Sequence, residues 1–277
     1  MSKLFSLAEM KLYSKEECER AKNLMYRFNK ECIHLIGPES IGGMVYLHDV
    51  FGAKTYEDLF NTWINEELFT SVNDKYKKGR SLDELLELVK TQYNICINSP
   101  KAKYLKFELT PLLCWQDILF HAVYQTVDGR KFEDIATELI KKRGKVADHI
   151  DPIDDFKYSV DLLLHETDEK SRIDKILQVK PFTFFMGGDW FPETIKKILY
   201  NMKKSKDKFK CEYYFIIYVD GKNKTSNKWL FNEKNNSSLF SIEDLLDMST
   251  NKLLLDKDGK RLIEVIKEKN ALEDIII

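Results

Sequence analysis

Apolar positions recur at three- and four-residue spacing through residues 1–126, and beyond them alternate or run continuously. The chain therefore reads as a helical segment followed by a mixed α/β one. Hydroxyl residues with a carboxylate three positions on open the early helices, because such pairs satisfy the first free N–H groups. Ser14-Lys15-Glu16-Glu17 precedes Ala21, Leu24, Met25, Phe28 and Cys32, and Ser81-Leu82-Asp83-Glu84 precedes Leu85, Leu86, Leu88 and Val89. Thr55 to Asp58 opens another helix carrying Leu59, Phe60 and Trp63. Thr110-Pro111 starts a further one with Trp115, Ile118, Leu119, Ala122 and Val123, since proline is accepted in a first turn. Gly37-Pro38 and Gly42-Gly43 mark an irregular stretch, with a short strand expected over Met44 to Leu47.

From Asp128-Gly129 the periodicity changes. A helix over 131–143 presents Phe132, Ile135, Ala136, Leu139 and Ile140, and Gly144 ends it. A strand near 145–150 and a Pro/Asp-rich turn follow. Two apolar runs, Val160-Asp161-Leu162-Leu163-Leu164 and Lys175-Ile176-Leu177-Gln178-Val179-Lys180, flank the charged segment His165 to Arg172, which is a hairpin pattern. Gly187-Gly188-Asp189 leads to a helix from Pro192 bearing Ile195, Ile198, Leu199 and Met202. Tyr213 to Val219 is too apolar for a surface strand and is expected to be central. Short helices are expected after Ser241 and around Leu262 to Ile266. The division is residues 1–126 as a helical region and 127–277 as the α/β part, with a shared core left open.

Composition places few limits on this. With 277 residues, 43% hydrophobic and 12% aromatic, the chain can bury a substantial core. Lys+Arg 44 against Asp+Glu 45 leaves a net charge of -1, which neither announces nor excludes a local basic groove for nucleic acid. The five cysteines form no CxxC pair, so they read as reduced core thiols and not as a zinc site or disulfide framework. Without a long apolar stretch, the expected location is the cytoplasm, away from membranes.

Candidate chemistry concentrates on the hairpin. A strand alternates its side chains, so Gln178 and Lys180 share one face while Leu177 and Val179 share the other. Two polar groups on a core-like strand are costly unless something uses them. Metal-assisted phosphodiester hydrolysis needs oxygen ligands and a group that orients or helps ionise water. Asp161 supplies the anionic ligand, Gln178 an amide oxygen and Val179 a backbone carbonyl. Lys180 is placed to orient the attacking water or offset developing charge. Glu133, in line with Ala136 and Ile140, is placed to lean over the sheet toward metal-bound water. A purely structural hairpin is the competing reading, and it is the conjunction of these residues in this order that favours chemistry.

Phe132-Glu133 on a helix, then Val160-Asp161, then Leu177-Gln178-Val179-Lys180, then helix and strand, resembles the PD-(D/E)XK nuclease superfamily. The variant with Gln in the third motif, as in Mrr-type enzymes, is the nearest form. The resemblance covers residues 129–220 and implies an α/β (α+β) fold with a PD-(D/E)XK restriction-endonuclease-like core (α-β-β-β-α-β) behind a largely helical N-terminal region. It also implies catalytic roles for Glu133, Asp161, Gln178 and Lys180, with Mg²⁺ as cofactor and Mn²⁺ as the alternative. Two departures stand out: Val160 replaces the usual proline, and the neutral Gln178 leaves the site one negative charge short.

The expected function is a Mg²⁺-dependent, site-specific double-stranded DNA endonuclease of the type II restriction kind, acting as a homodimer because each site cuts one strand. The alternatives are a modification-dependent Mrr-type endonuclease and a catalytically degenerate DNA-binding subunit of a defence system. Lys222, Lys224, Asn227 and Lys228, in a loop with Thr225 and Trp229, are the candidate DNA contacts. The basic run Lys203 to Lys210 reads equally well as a helix end. The histidines, spaced without HxxxH or HxH, read as structural, although His149 and His165 lie near the proposed site.

Overall fold

A computed structural model describes residues 5–28, 43–65, 81–99, 109–165, 172–181, 191–219, 228–229 and 239–241. The chain divides into two compact units, Met1–Lys131 and Phe132–Ile277.

The first unit is helical. After a 3₁₀ turn at Leu7–Glu9 come α1 (Lys15–Phe28), α2 (Met44–Val50), α3 (Tyr56–Trp63), α4 (Leu82–Asn98) and α5 (Pro111–Leu119). A π-helical turn, Phe120–Tyr124, leads into α6 (Gln125–Lys142). The capping boxes form as expected: Ser81 N–H donates to Glu84 Oε2 at 2.7 Å, and Glu84 N–H donates back to Ser81 Oγ at 3.2 Å. Thr55 and Thr110 likewise accept the N–H groups of Asp58 and Leu113. The stretch expected as a strand over Met44 to Leu47 is instead α2, whose buried residues Met44, Leu47 and His48 follow helical spacing. The core of this unit gathers Cys18, Met25, Leu59, Trp63, Leu85, Val89, Trp115, Ile118 and Val123. Cys18, Cys96 and Cys114 are buried and not disulfide-bonded, and burial pushes the Cys18 pKa up to about 12, as befits an inert core residue.

Polar side chains knit these helices. Arg130, buried, donates to Asp49 Oδ2 at 2.6 Å, and Asp49 Oδ1 lies 2.6 Å from His48 Nδ1. Tyr56 and Lys15 both donate to Asp128. That use of Asp128 explains why Asp128-Gly129 does not break the chain. Both lie inside α6, and a Cβ on Gly129 would meet nothing within 4 Å. The two compact units meet after Lys131, within that helix.

Within the π turn, His121 Nε2 lies 3.4 Å from the buried Asp117 Oδ1, and its Nδ1 lies 2.7 Å from Gln125 Oε1. Burial alone would lower the imidazole pKa, and Lys22 acts in the same direction. The hydrogen bond and charge of Asp117, with Gln125, outweigh both and hold it above the ordinary value of 6.5. A group whose pKa is raised on folding stabilises fully below its unfolded value, and that contribution is lost as pH rises through the folded one. The melting temperature is expected to fall as pH rises from about 6.5 through the raised folded value, and His121→Gln to flatten that slope. An unchanged slope in the variant would remove His121 from the account.

The second unit is a mixed sheet with helices on both faces. Helix α6 ends at Gly144, whose φ of 74° is the left-handed value that favours glycine. Then follow β1 (Val146–His149), α7 (Pro152–Tyr158), β2 (Leu162–His165), β3 (Lys175–Pro181), α8 (Phe191–Phe209), β4 (Glu212–Val219), β5 (Lys228–Trp229) and β6 (Leu239–Phe240). The Pro/Asp-rich segment is thus the short helix α7 and not a turn. Pro152 suits a first turn, and Asp154 and Asp155 favour a helix N-terminus. Strands β1, β2 and β3 are successive antiparallel neighbours, and β4 lies parallel to β3 across the α8 connection. Both β5 and β6 pair antiparallel with β4, making it central among the described strands.

Leu162, Leu164, Leu177, Val179, Ile216 and Tyr218 pack against Ala136 and Ile140 of α6, with Phe132 stacked on Tyr218 at 3.9 Å. By alternation, Gln178, Lys180, Tyr213, Phe215 and Ile217 turn to the opposite face, toward α7 and α8. Among the described residues each unit has a hydrophobic cluster of its own. The helices expected after Ser241 and near Leu262 lie outside the described residues. Among those described, no helix is long and apolar enough to cross a membrane.

Candidate active site

An irregularity begins β2. The Asp161 N–H donates to Leu177 O at 2.9 Å, while Leu162 is registered opposite the same Leu177. Two successive residues facing one on the next strand form a β-bulge, which bends the strand and re-aims a side chain. On the other side, Ile150 N–H donates to Asp161 O at 3.3 Å, so the residue is gripped by both neighbours. Its side chain then replaces a backbone acceptor: Asp161 Oδ2 receives the Val179 N–H at 2.7 Å. The same oxygen lies 3.7 Å from Lys180 Nζ, and the Lys180 side chain remains 26% exposed, so the pair is reachable from solvent.

Gln178 sits between Val179 and the apolar start of β3. It is buried. Glu133 lies on α6, one turn before Ala136, with its Oε2 3.6 Å from His149 Nδ1; the other ring nitrogen of His149 is 2.9 Å from Asp134 Oδ1. His149 is registered opposite Leu162, the residue after Asp161. Glu133 and His149 therefore occupy the same end of the sheet as Asp161, on the α6 side.

The described geometry thus brings Asp161, Val179 and Lys180 together, sets Gln178 beside them on β3, and seats Glu133 at that sheet end in partnership with His149. Of the expected DNA contacts, Lys222, Lys224 and Asn227 lie outside the described residues. Lys228 does not belong to a loop: it opens β5, opposite Val219. A two-residue strand gives little periodicity to read, and pairing with the central β4 creates it. Within the basic run, Lys206 pairs with Glu212 at 2.7 Å, and Lys204 and Lys208 lie over the Tyr158 ring at 5.3 and 6.0 Å.

Three further residues reach this site, and the sequence offers no pattern that singles them out. Tyr213 donates its hydroxyl to Ser159 O, and Asn201 Nδ2 donates to Ser159 Oγ at 2.8 Å. Burial first, then the charges of Asp161 and Asp155, raises the Tyr213 pKa well above 10, so the phenol stays a neutral donor.

Among the described residues, no three or more His, Cys, Asp or Glu side chains cluster as metal ligands. The donors at the β2–β3 edge are instead a carboxylate, a primary amide and a backbone carbonyl. These are oxygen donors of the kind Mg²⁺ and Mn²⁺ prefer. In donor type the residues fit a hard divalent cation. No protein-family profile matches the chain, and neither curated proteins nor solved structures show a significant match to it.

Proposed function

We propose that this protein is a Mg²⁺-dependent, site-specific endonuclease of double-stranded DNA. The observation that carries the reading is the Asp161 carboxylate, held by the Val179 N–H at 2.7 Å and set 3.7 Å from the Lys180 ammonium on adjoining strands. The element order supports it as well. A helix, three antiparallel neighbouring strands, a helix and a strand parallel to the third follow one another as the PD-(D/E)XK resemblance implies, with α7 as an addition between β1 and β2.

In this reading Asp161, Gln178 and the Val179 carbonyl would hold the cation, which when bound supplies Lewis-acid polarisation of the scissile phosphate. Lys180, anchored beside Asp161, offsets charge developing on the phosphate oxygens and orients the attacking water. Glu133, steadied by His149, accepts a hydrogen bond from water at the same sheet end. Two copies related by a two-fold axis would each cut one strand.

Purified protein incubated with plasmid and phage DNA in Mg²⁺ is expected to yield discrete fragments. Intact DNA across methylated and unmethylated substrates, in both Mg²⁺ and Mn²⁺, would overturn the proposal. Cleavage restricted to methylated DNA would assign the Mrr-type activity. A second reading draws on the same contacts. Asp161 is already bonded by Val179 and Lys180, as expected of a degenerate, DNA-binding nuclease fold. DNA retention in a gel shift without calorimetric Mg²⁺ or Mn²⁺ binding would favour it.

A further inference from the structure

Ser159 is not glycine, yet its φ is 54°, in the left-handed region that side chains disfavour. Such a conformation persists only where the surroundings over-determine it. They do so here from three directions. Its carbonyl receives the Tyr213 hydroxyl and its Oγ receives Asn201 Nδ2 at 2.8 Å. The preceding Tyr158 carbonyl receives the hydroxyl of the fully buried Ser205 at 2.6 Å. The Ser159 N–H closes the end of α7 by donating to Asp155 O at 2.7 Å. Two residues later comes Asp161, at the bulge that turns its carboxylate to Val179 and Lys180.

A helix alone ends adequately without this arrangement, since a glycine would adopt the same φ without steric strain. Serine adds the Oγ that Asn201 grips. The clamp is drawn from α8 and β4, so it ties the chain just before Asp161 to the elements that follow β3 in sequence. We propose that Ser159, Asn201 and Tyr213 are positioning residues that aim the Asp161 carboxylate at the β3 edge. The chemical purpose of that aim rests on the nuclease reading; the aim itself does not.

Selective ¹⁵N-valine labelling makes the Val179 amide a direct reporter, because its N–H is bonded to Asp161 Oδ2. In Tyr213→Phe and Ser159→Gly the Val179 resonance is expected to move or broaden. Mg²⁺ affinity measured by calorimetry is expected to drop about 10-fold, the usual scale for a lost outer contact to a metal ligand. Ser159→Gly keeps the backbone conformation open to it and so remains folded even where Tyr213→Phe does not. A melting temperature that shifts while the Val179 resonance and Mg²⁺ affinity stay at wild-type values would reduce the clamp to helix capping and overturn the proposal. Should the wild type bind no divalent cation and leave DNA intact, the nuclease reading falls. The Val179 resonance then decides the positioning role by itself.

Discussion

Asp161→Ala is expected to lower DNA cleavage by at least about 10³-fold, the scale seen when a preorganised charge is removed from a reacting centre. It is also expected to destabilise the second unit, for a separate reason. The Val179 N–H loses its acceptor at 2.7 Å, and an unsatisfied buried donor costs about 1–3 kcal/mol. The Lys180 contact adds little to this, because that side chain is partly in water at 3.7 Å from its partner. Asp161→Asn separates the two effects: an amide oxygen still accepts from Val179, so the melting temperature is expected to recover while cleavage stays lost for want of the negative charge. Lys180→Ala completes the set, with cleavage lost and stability changed by less than about 1 kcal/mol. Plasmid cleavage time courses and thermal melts on these variants measure both quantities. An Asp161→Asn enzyme that cuts at the wild-type rate would remove the metal-side role of the carboxylate.

Trp115→Ala is expected to cost the first unit about 3–5 kcal/mol, a large share of the roughly 5–15 kcal/mol that holds a domain together. Trp115 is fully buried and stacks on Trp63 with centroids 5.8 Å apart and planes at 11°. Its indole Nε1–H also donates to Lys11 O at 3.0 Å, tying α5 to the segment between the 3₁₀ turn and α1. Truncation therefore leaves a cavity, breaks the stack and frees a carbonyl at once. Trp115→Phe retains most of the apolar area and loses the hydrogen bond, so a smaller loss of about 1–2 kcal/mol is expected. Urea unfolding followed by circular dichroism reads both. A loss below about 1 kcal/mol for the alanine variant would show that the surrounding helices collapse into the space.

Elements controlled by neighbours along the chain are legible in the amino-acid sequence. The boxes at Ser14 and Ser81 and the threonine caps at Thr55 and Thr110 are three-residue interactions, and all form. Gly144 as a helix stop, the β2–β3 pairing and the interior placement of β4 are legible for the same reason. A left-handed terminus, a charged hairpin loop and an all-apolar strand each leave a local imprint. Sequence and structure part where a distant partner decides. Asp128-Gly129 has the composition of a turn, yet Lys15 and Tyr56 engage Asp128 and the helix runs through. Met44 to Leu47 is apolar enough for a strand, but its buried residues line one side of a helix. At Pro152–Tyr158 the same proline and aspartates serve a turn or a helix N-terminus, and the contact of α7 with α8 selects the helix.

The candidate site divides along the same line. Gln178 and Lys180 are bound to share a face, because alternation along one strand is a property of the backbone and needs no partner. That the chain is a helical segment followed by an α/β one is likewise a matter of periodicity, which each segment carries in itself. Tertiary structure alone decides that β2 starts with a bulge and that Asp161 commits one oxygen to the Val179 N–H and the Lys180 ammonium. It also decides that Glu133 meets His149, and that Ser159 is held left-handed by Asn201 and Tyr213. Each of these joins residues 16 to 54 positions apart or depends on such a join. Which oxygen faces which donor is fixed only when separate strands and helices are brought within about 3–4 Å of one another, a distance that no local pattern encodes.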